Sequence, residues 1–177
     1  MTPGNTTNEL IETLTNEGVD HIVLLMRHSA REYAPGKHDL LNPLTDEGRD
    51  LARDMGKRLP KGLVVRGYTS PAERCVETAG LIMSGYAAAE GQILRNRVVE
   101  ALGVFYVLDQ IKMFKSMQAE GGMVGFLQRW FDGGIARDIL MPADLAARLV
   151  GGLAKEKLSQ TGGEPRLDLL VSHDFTL

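Results

Sequence analysis

Apolar residues along this chain fall in short unbroken runs, separated by stretches in which they recur every three or four positions. "HIVLLM" (21–26), "GLVVRGYTS" (62–70), "ILRNRVV" (93–99) and "LDLLVS" (167–172) are too short for free-standing helices and predict four strands. The first reads as a strand buried on both faces. Between the runs, "NELIETLTNEG" (8–18) predicts a helix with Leu10, Ile11 and Leu14 on one face, stopped by Gly18. "LTDEGRDLARDMGKRL" (44–59) predicts a second helix. Thr45 caps it, Asp46 and Glu47 sit in its first turn, and Leu51, Met55 and Leu59 recur every four residues. "SPAERCVETAGLIM" predicts a third helix from residue 71, with Pro71 at the first helical position and Ser70 and Glu73 as a capping box. From 104 to 160 the pattern is mainly helical, broken at the glycine pairs 121–122, 133–134 and 151–152. Strands alternating with helices predict one α/β domain over 1–177, with a mostly parallel sheet and a mainly helical insertion at about 101–160.

Composition narrows the function classes. A chain of 177 residues, 44% hydrophobic, buries about 70% of its unfolded surface and needs no disulfide staples. The single Cys75 cannot make an internal one, which fits a reducing compartment. With Ala79 and Ile82 on the same predicted helix, it reads as a buried position rather than a reactive thiol. The net charge of −3 argues against a nucleic-acid partner. No apolar run approaches the ~20 residues of a membrane span, and "MTPGNTTNELIETL" is polar and acidic, unlike a leader. These features imply a soluble, cytoplasmic protein, with homo-oligomer formation left open. The four histidines show no metal-ligand spacing, and His21 and His38 read as structural or surface residues. Phe126, Leu127, Trp130 and Phe131 read as the core of the middle region or as the lining of a substrate pocket.

The polar residues fall where chemistry is expected. In an open parallel sheet, ligands bind beyond the carboxyl ends of the strands. The first strand ends in Arg27-His28-Ser29-Ala30-Arg31, and the second runs into a helix whose first turn carries Arg74. The third ends at Glu100 and the fourth in Ser172-His173-Asp174. Arginine forks and a helix N-terminus suit phosphate oxygens. A neutral imidazole among them can attack phosphorus, nearby cations favour that neutral form, and the same positive field offsets charge on the transferring group. A carboxylic acid beside the leaving oxygen would complete the set. Blander readings compete: Arg27 and His28 as a surface pair, Arg74 bridged to Glu73 or Glu77, His173-Asp174 as an ordinary turn, Glu100 as a solvated carboxylate.

These residues resemble the histidine phosphatase superfamily, the phosphoglycerate mutase-like fold. "LLMRHSAR" resembles its strand ending in Arg-His-Gly, and "NPLTDEGRDLARDMGKRL" its Leu-Thr-x-x-Gly segment and first helix. "YTSPAERCVETA" is similar to its Ser-Pro-x-x-Arg-x-x-x-Thr-Ala segment, and "LLVSHD" to the strand carrying a second histidine. The resemblance implies a three-layer α/β/α sandwich and a phosphomonoesterase working through a phosphohistidine, without metal or cofactor. In it His28 is the nucleophile, and Arg27, Arg31, Arg74 and His173 bind phosphate. The proton donor is Asp174, as in the acid-phosphatase branch that Arg31 also matches, or Glu100, as in the mutase-like branch; the shared branch favours Asp174. The substrate is a small phosphorylated molecule or a phosphoprotein. A phosphomutase and a non-catalytic phospho-ligand binder are the alternatives. Three departures stand out: Ser29 where the family has Gly, Glu32-Tyr33 after Arg31, and a chain short at the C-terminus, ending at Leu177. If the position after the nucleophile needs positive φ, Ser29 is costly there.

Overall fold

The computed structural model describes residues 4–34, 41–160 and 162–176. His38 and Leu177 lie outside the described residues. Four strands, β1 (His21–Arg27), β2 (Val64–Thr69), β3 (Gln92–Val98) and β4 (Arg166–Ser172), form a sheet in the order β1-β4-β2-β3. Every pairing is parallel. Helices α1 (Asn5–Asn16), α2 (Asp46–Lys57) and α3 (Glu73–Ala88) cover one face. There Ile11, Ala52, Met55, Ile82, Met83 and Tyr86 pack on Ile22, Val65, Leu167 and Leu169. On the other face Leu153 and Ala154, from α6 (Ala143–Ser159), pack against Tyr68, Leu170, Val23 and Leu25. This is the three-layer sandwich.

Position within the sheet, rather than composition, sets burial. The central strands β2 and β4 are buried almost throughout, whereas β1 lies at one edge and only Ile22 is buried in it, the rest being half-buried. The reading of "HIVLLM" as buried on both faces is therefore corrected. An apolar run carries the same letters at an edge and at the centre. In α1, Ile11 is buried but Leu10 is 58% exposed, so Leu10 leaves the predicted apolar face. Buried Asn8 shares that face instead, its Nδ2 donating to the Met55 carbonyl at 3.2 Å. Asp168 interrupts the apolar run of β4 with a buried charge. Arg66 answers it with two hydrogen bonds of 2.6 Å, and His21 lies 3.1 Å away, which makes His21 structural.

Residues 101–160 form a helical unit with its own core. It contains α4 (Gln110–Ala119), α5 (Met123–Phe131) and α6, and Phe126 and Trp130 pack with Tyr106, Met113, Leu140 and Ala146. Trp130 also walls a cavity of about 310 Å³ with Phe131, which is 66% exposed and so leaves the predicted core. Gly121-Gly122 and Gly133-Gly134 do separate helices, but Gly151-Gly152 lies inside α6. A Cβ at either of the latter would meet no atom within 4 Å. Two interior glycines weaken a helix without ending it when its flanking turns are held by packing. Gly151→Ala and Gly152→Ala should each stabilise the protein, by about 0.5–1 kcal/mol, measurable as a rise in the urea midpoint at constant slope.

Candidate active site

The parallel sheet brings the carboxyl ends of β1, β2 and β4 to one edge, and the side chains there make a contiguous set. His28 follows β1 directly, and its backbone N–H donates to the Ser172 carbonyl at 3.0 Å, continuing the β1–β4 ladder by one residue. The ring is 2% exposed, and its Nδ1 lies 2.8 Å from the Ser29 carbonyl oxygen. A carbonyl only accepts, so Nδ1 carries the proton and Nε2 keeps its lone pair. Burial, with smaller contributions from Arg74, Arg27 and His173, lowers the His28 pKa to about 4, against a smaller opposing effect of the Ser29 bond. The imidazole is therefore neutral at physiological pH.

His173 faces it, with ring centroids 5.7 Å apart and planes at 69°. Arg74 Nη2 lies 3.2 Å from His173 Nδ1, and Ser70 Oγ lies 2.7 Å from Nε2. A guanidinium only donates, so Nδ1 accepts and the Nε2 proton goes to the serine. Arg74, 3% exposed, therefore leans on His173 rather than on Glu73 or Glu77. Glu77 instead receives Arg49 Nε at 2.7 Å. Arg27 is ion-paired with Asp174, which opens the short 3-10 turn Asp174–Thr176.

The loop after His28 is fixed to α2 and α3. Ser29 N donates to Thr78 Oγ1 at 3.1 Å, and Ser29 Oγ to the Gly48 carbonyl at 2.8 Å. Gly48 permits this approach, since a Cβ there would sit 2.2 Å from the Ala30 oxygen. Among the described residues Glu90 alone has positive φ without being glycine, so Ser29 carries no left-handed strain. The hydroxyl is accommodated by bonding α2.

Two predicted site residues stand less directly in this set. Arg31 bridges to Leu44, donates to the Glu32 carbonyl at 3.2 Å and lies 6.0 Å from the Tyr33 ring centroid. Glu100, exposed, opens a 3-10 turn, Glu100–Leu102, directly after β3. Cys75 is fully buried, 3.8 Å from His173 Nε2, and desolvation pushes its thiol up to about 11, as befits an unreactive position. Among the described residues no three His, Cys, Asp or Glu side chains stand together where they could hold a metal ion. No described helix is long and apolar enough to cross a membrane.

The sequence reading missed two contributors. Ser70 was expected to cap α3, but the helix begins at Glu73 with Ala72 as N-cap, and the Ser70 hydroxyl, which also accepts from Ala72 N at 3.2 Å, is engaged by His173. Thr78 spans the Ser29 amide and the Arg74 carbonyl, the latter at 2.7 Å. Both lie in the "SPAERCVETA" segment, whose spacing marked them without giving their roles.

Solved structures share this fold. A mycobacterial protein described as hydrolase 1 matches with a TM-score of 0.55 at 17% identity, over 86% of this chain and 74% of that one. The native structure of mycobacterial glucosyl-3-phosphoglycerate phosphatase matches with a TM-score of 0.52 at 19% identity, over 86% and 73%. No curated protein sequence matches the chain. The family model described as histidine phosphatase superfamily, branch 1, matches residues 23–176, from within β1 through both facing histidines; the chain belongs to that superfamily.

Proposed function

We propose that the protein is a phosphatase that hydrolyses phosphate monoesters through a phosphohistidine on His28. The observation that carries this reading is the state of that ring: buried, neutral, and with Nε2 left nucleophilic by the Nδ1–Ser29 bond. In the first step Nε2 attacks phosphorus in line and the bond to the ester oxygen breaks. A carboxylic acid, Asp174 or Glu100, gives its proton to that oxygen. In the second step the resulting carboxylate takes a proton from water as the water attacks the phosphohistidine, releasing inorganic phosphate. Arg27, Arg31 and Arg74 would hold the equatorial oxygens, their charges offsetting those on the transferring group. His173 would join them by exchanging its Nε2–H bond to Ser70 for one to a phosphate oxygen. The mechanism as written calls for no metal or organic cofactor.

The test is steady-state hydrolysis of phosphate esters, with glucosyl-3-phosphoglycerate among the substrates. Glu100→Gln and Asp174→Asn separately should identify the acid. One of them should lower kcat by roughly 10²–10⁴-fold while the other stays within a few-fold of wild type. Small, equal losses from both would remove the acid from the mechanism. Phosphoryl transfer to an added acceptor in place of water would identify a phosphomutase. Phosphate-dependent thermal stabilisation without turnover would identify a binding protein.

A further inference from the structure

Ser172 has one polar group that reaches the residue after β1 and another that reaches a turn bearing a candidate acid. Its carbonyl accepts the His28 N–H at 3.0 Å. Its hydroxyl, on the opposite side of the strand from His173, donates to the Leu102 carbonyl at 2.6 Å, and both residues are fully buried. Leu102 closes the Glu100–Leu102 turn, which is held from two other directions. Val99 N donates to the Thr69 carbonyl at 2.8 Å, and a Cβ on Gly103 would lie 3.3 Å from Pro71 Cδ. The turn is thus bonded to β2 and to β4 and lies close beside the loop that leads into Arg74. The side chain it presents to solvent at its head is Glu100. Asp174, by contrast, is taken up by Arg27.

We infer that Ser172 is a positioning residue that holds the turn bearing Glu100 at the sheet edge where His28 stands, by binding that turn through its hydroxyl and the His28 backbone through its carbonyl. The inference rests on the phosphatase reading. A serine inside the apolar run of β4 follows from it. A buried hydroxyl requires an acceptor, and here the acceptor is the turn that must be held.

Leaving-group dependence tests this in the full chain. p-Nitrophenolate departs readily without a proton, whereas phenolate needs one, so a displaced acid harms phenyl phosphate selectively. Ser172→Ala should lower kcat/KM for phenyl phosphate roughly tenfold more than for p-nitrophenyl phosphate. Glu100→Gln should show the same selectivity, more strongly, and adding Ser172→Ala to it should cause no further selective loss. Equal losses on both esters, or an unchanged ratio, would overturn the inference. Glu100 is exposed, so its variant retains the fold, and a Glu100→Gln variant without that selectivity overturns the inference even if Ser172→Ala does not fold. In that case Ser172→Thr, which keeps the hydroxyl, should leave the ratio at its wild-type value, and it overturns the inference if it lowers phenyl phosphate turnover selectively. If the wild type hydrolyses neither ester, the phosphatase reading fails and this inference with it. If it hydrolyses both and the variants leave the ratio unchanged, only the inference fails.

Discussion

Replacing His28 with alanine is expected to abolish phosphatase turnover while the protein still folds. In the proposed mechanism the imidazole supplies the atom that bonds phosphorus, and His173, its Nδ1 taken up by Arg74 and its Nε2 by Ser70, is not placed to replace it. Loss of a covalent nucleophile leaves only phosphate binding and water attack, so a fall of several orders of magnitude in kcat is expected. Retention of even a few per cent of wild-type activity would defeat the mechanism. The pH behaviour gives a second readout. The folded pKa of His28, about 4, lies below the ordinary histidine value of 6.5, so the folded state disfavours the proton. The stability this contributes is fully present above pH 6.5 and is lost as pH falls toward 4, because the unfolded chain binds the proton more readily there. His28→Ala should therefore flatten the stability profile between those limits, as followed by urea denaturation at fixed pH. In the wild type, the acid limb that His28 sets on kcat/KM should fall near its folded value rather than at 6.5.

Replacing Arg74 should have the second largest effect. Arg74 is buried beside His173, in the first turn of α3, where its cation acts on the His28 ring. Arg74→Ala should lower kcat/KM by roughly 10²–10³-fold, the scale expected when one donor to the transferring group is lost. It should also weaken the thermal stabilisation given by added inorganic phosphate, which reports binding independently of turnover. Arg74→Lys should recover only part of either, because an ammonium keeps the charge and loses the planar fork. Full recovery with lysine would show that charge alone matters there. Because desolvation is the largest cause of the low His28 pKa, removing Arg74 should raise that pKa only partway.

Much of the fold was legible because its signals are local. Thr45 caps α2 as its sequence predicted, its Oγ1 receiving the Gly48 N–H at 2.9 Å, and Gly18 ends α1 with φ of 84°. The four apolar runs became the four strands, and His28, Arg74 and His173 came together because parallel strands deliver their carboxyl ends to one edge. The α3 boundary failed for a chemical reason. Ser70 can cap a helix or orient a histidine, and the histidine, 103 residues away, engages its hydroxyl. Gly151-Gly152 failed for a physical one. The helical cost of two glycines is small beside the packing of Ala146 and Val150 on their neighbours, and a local reading weighs only the former.

The sequence by itself determined the family and the element order and singled out His28 as the candidate nucleophile, because each is written in residue type and short spacing. The tertiary structure alone decided that β1 is an edge strand, that Ser29 is bonded to α2 rather than strained, that Arg27 pairs with Asp174, and that burial, more than the nearby cations, favours the neutral form of His28, with its proton on Nδ1. Those outcomes depend on which distant groups exclude water from a side chain and which of them offer it a hydrogen bond. Neither quantity exists until the chain has closed on itself.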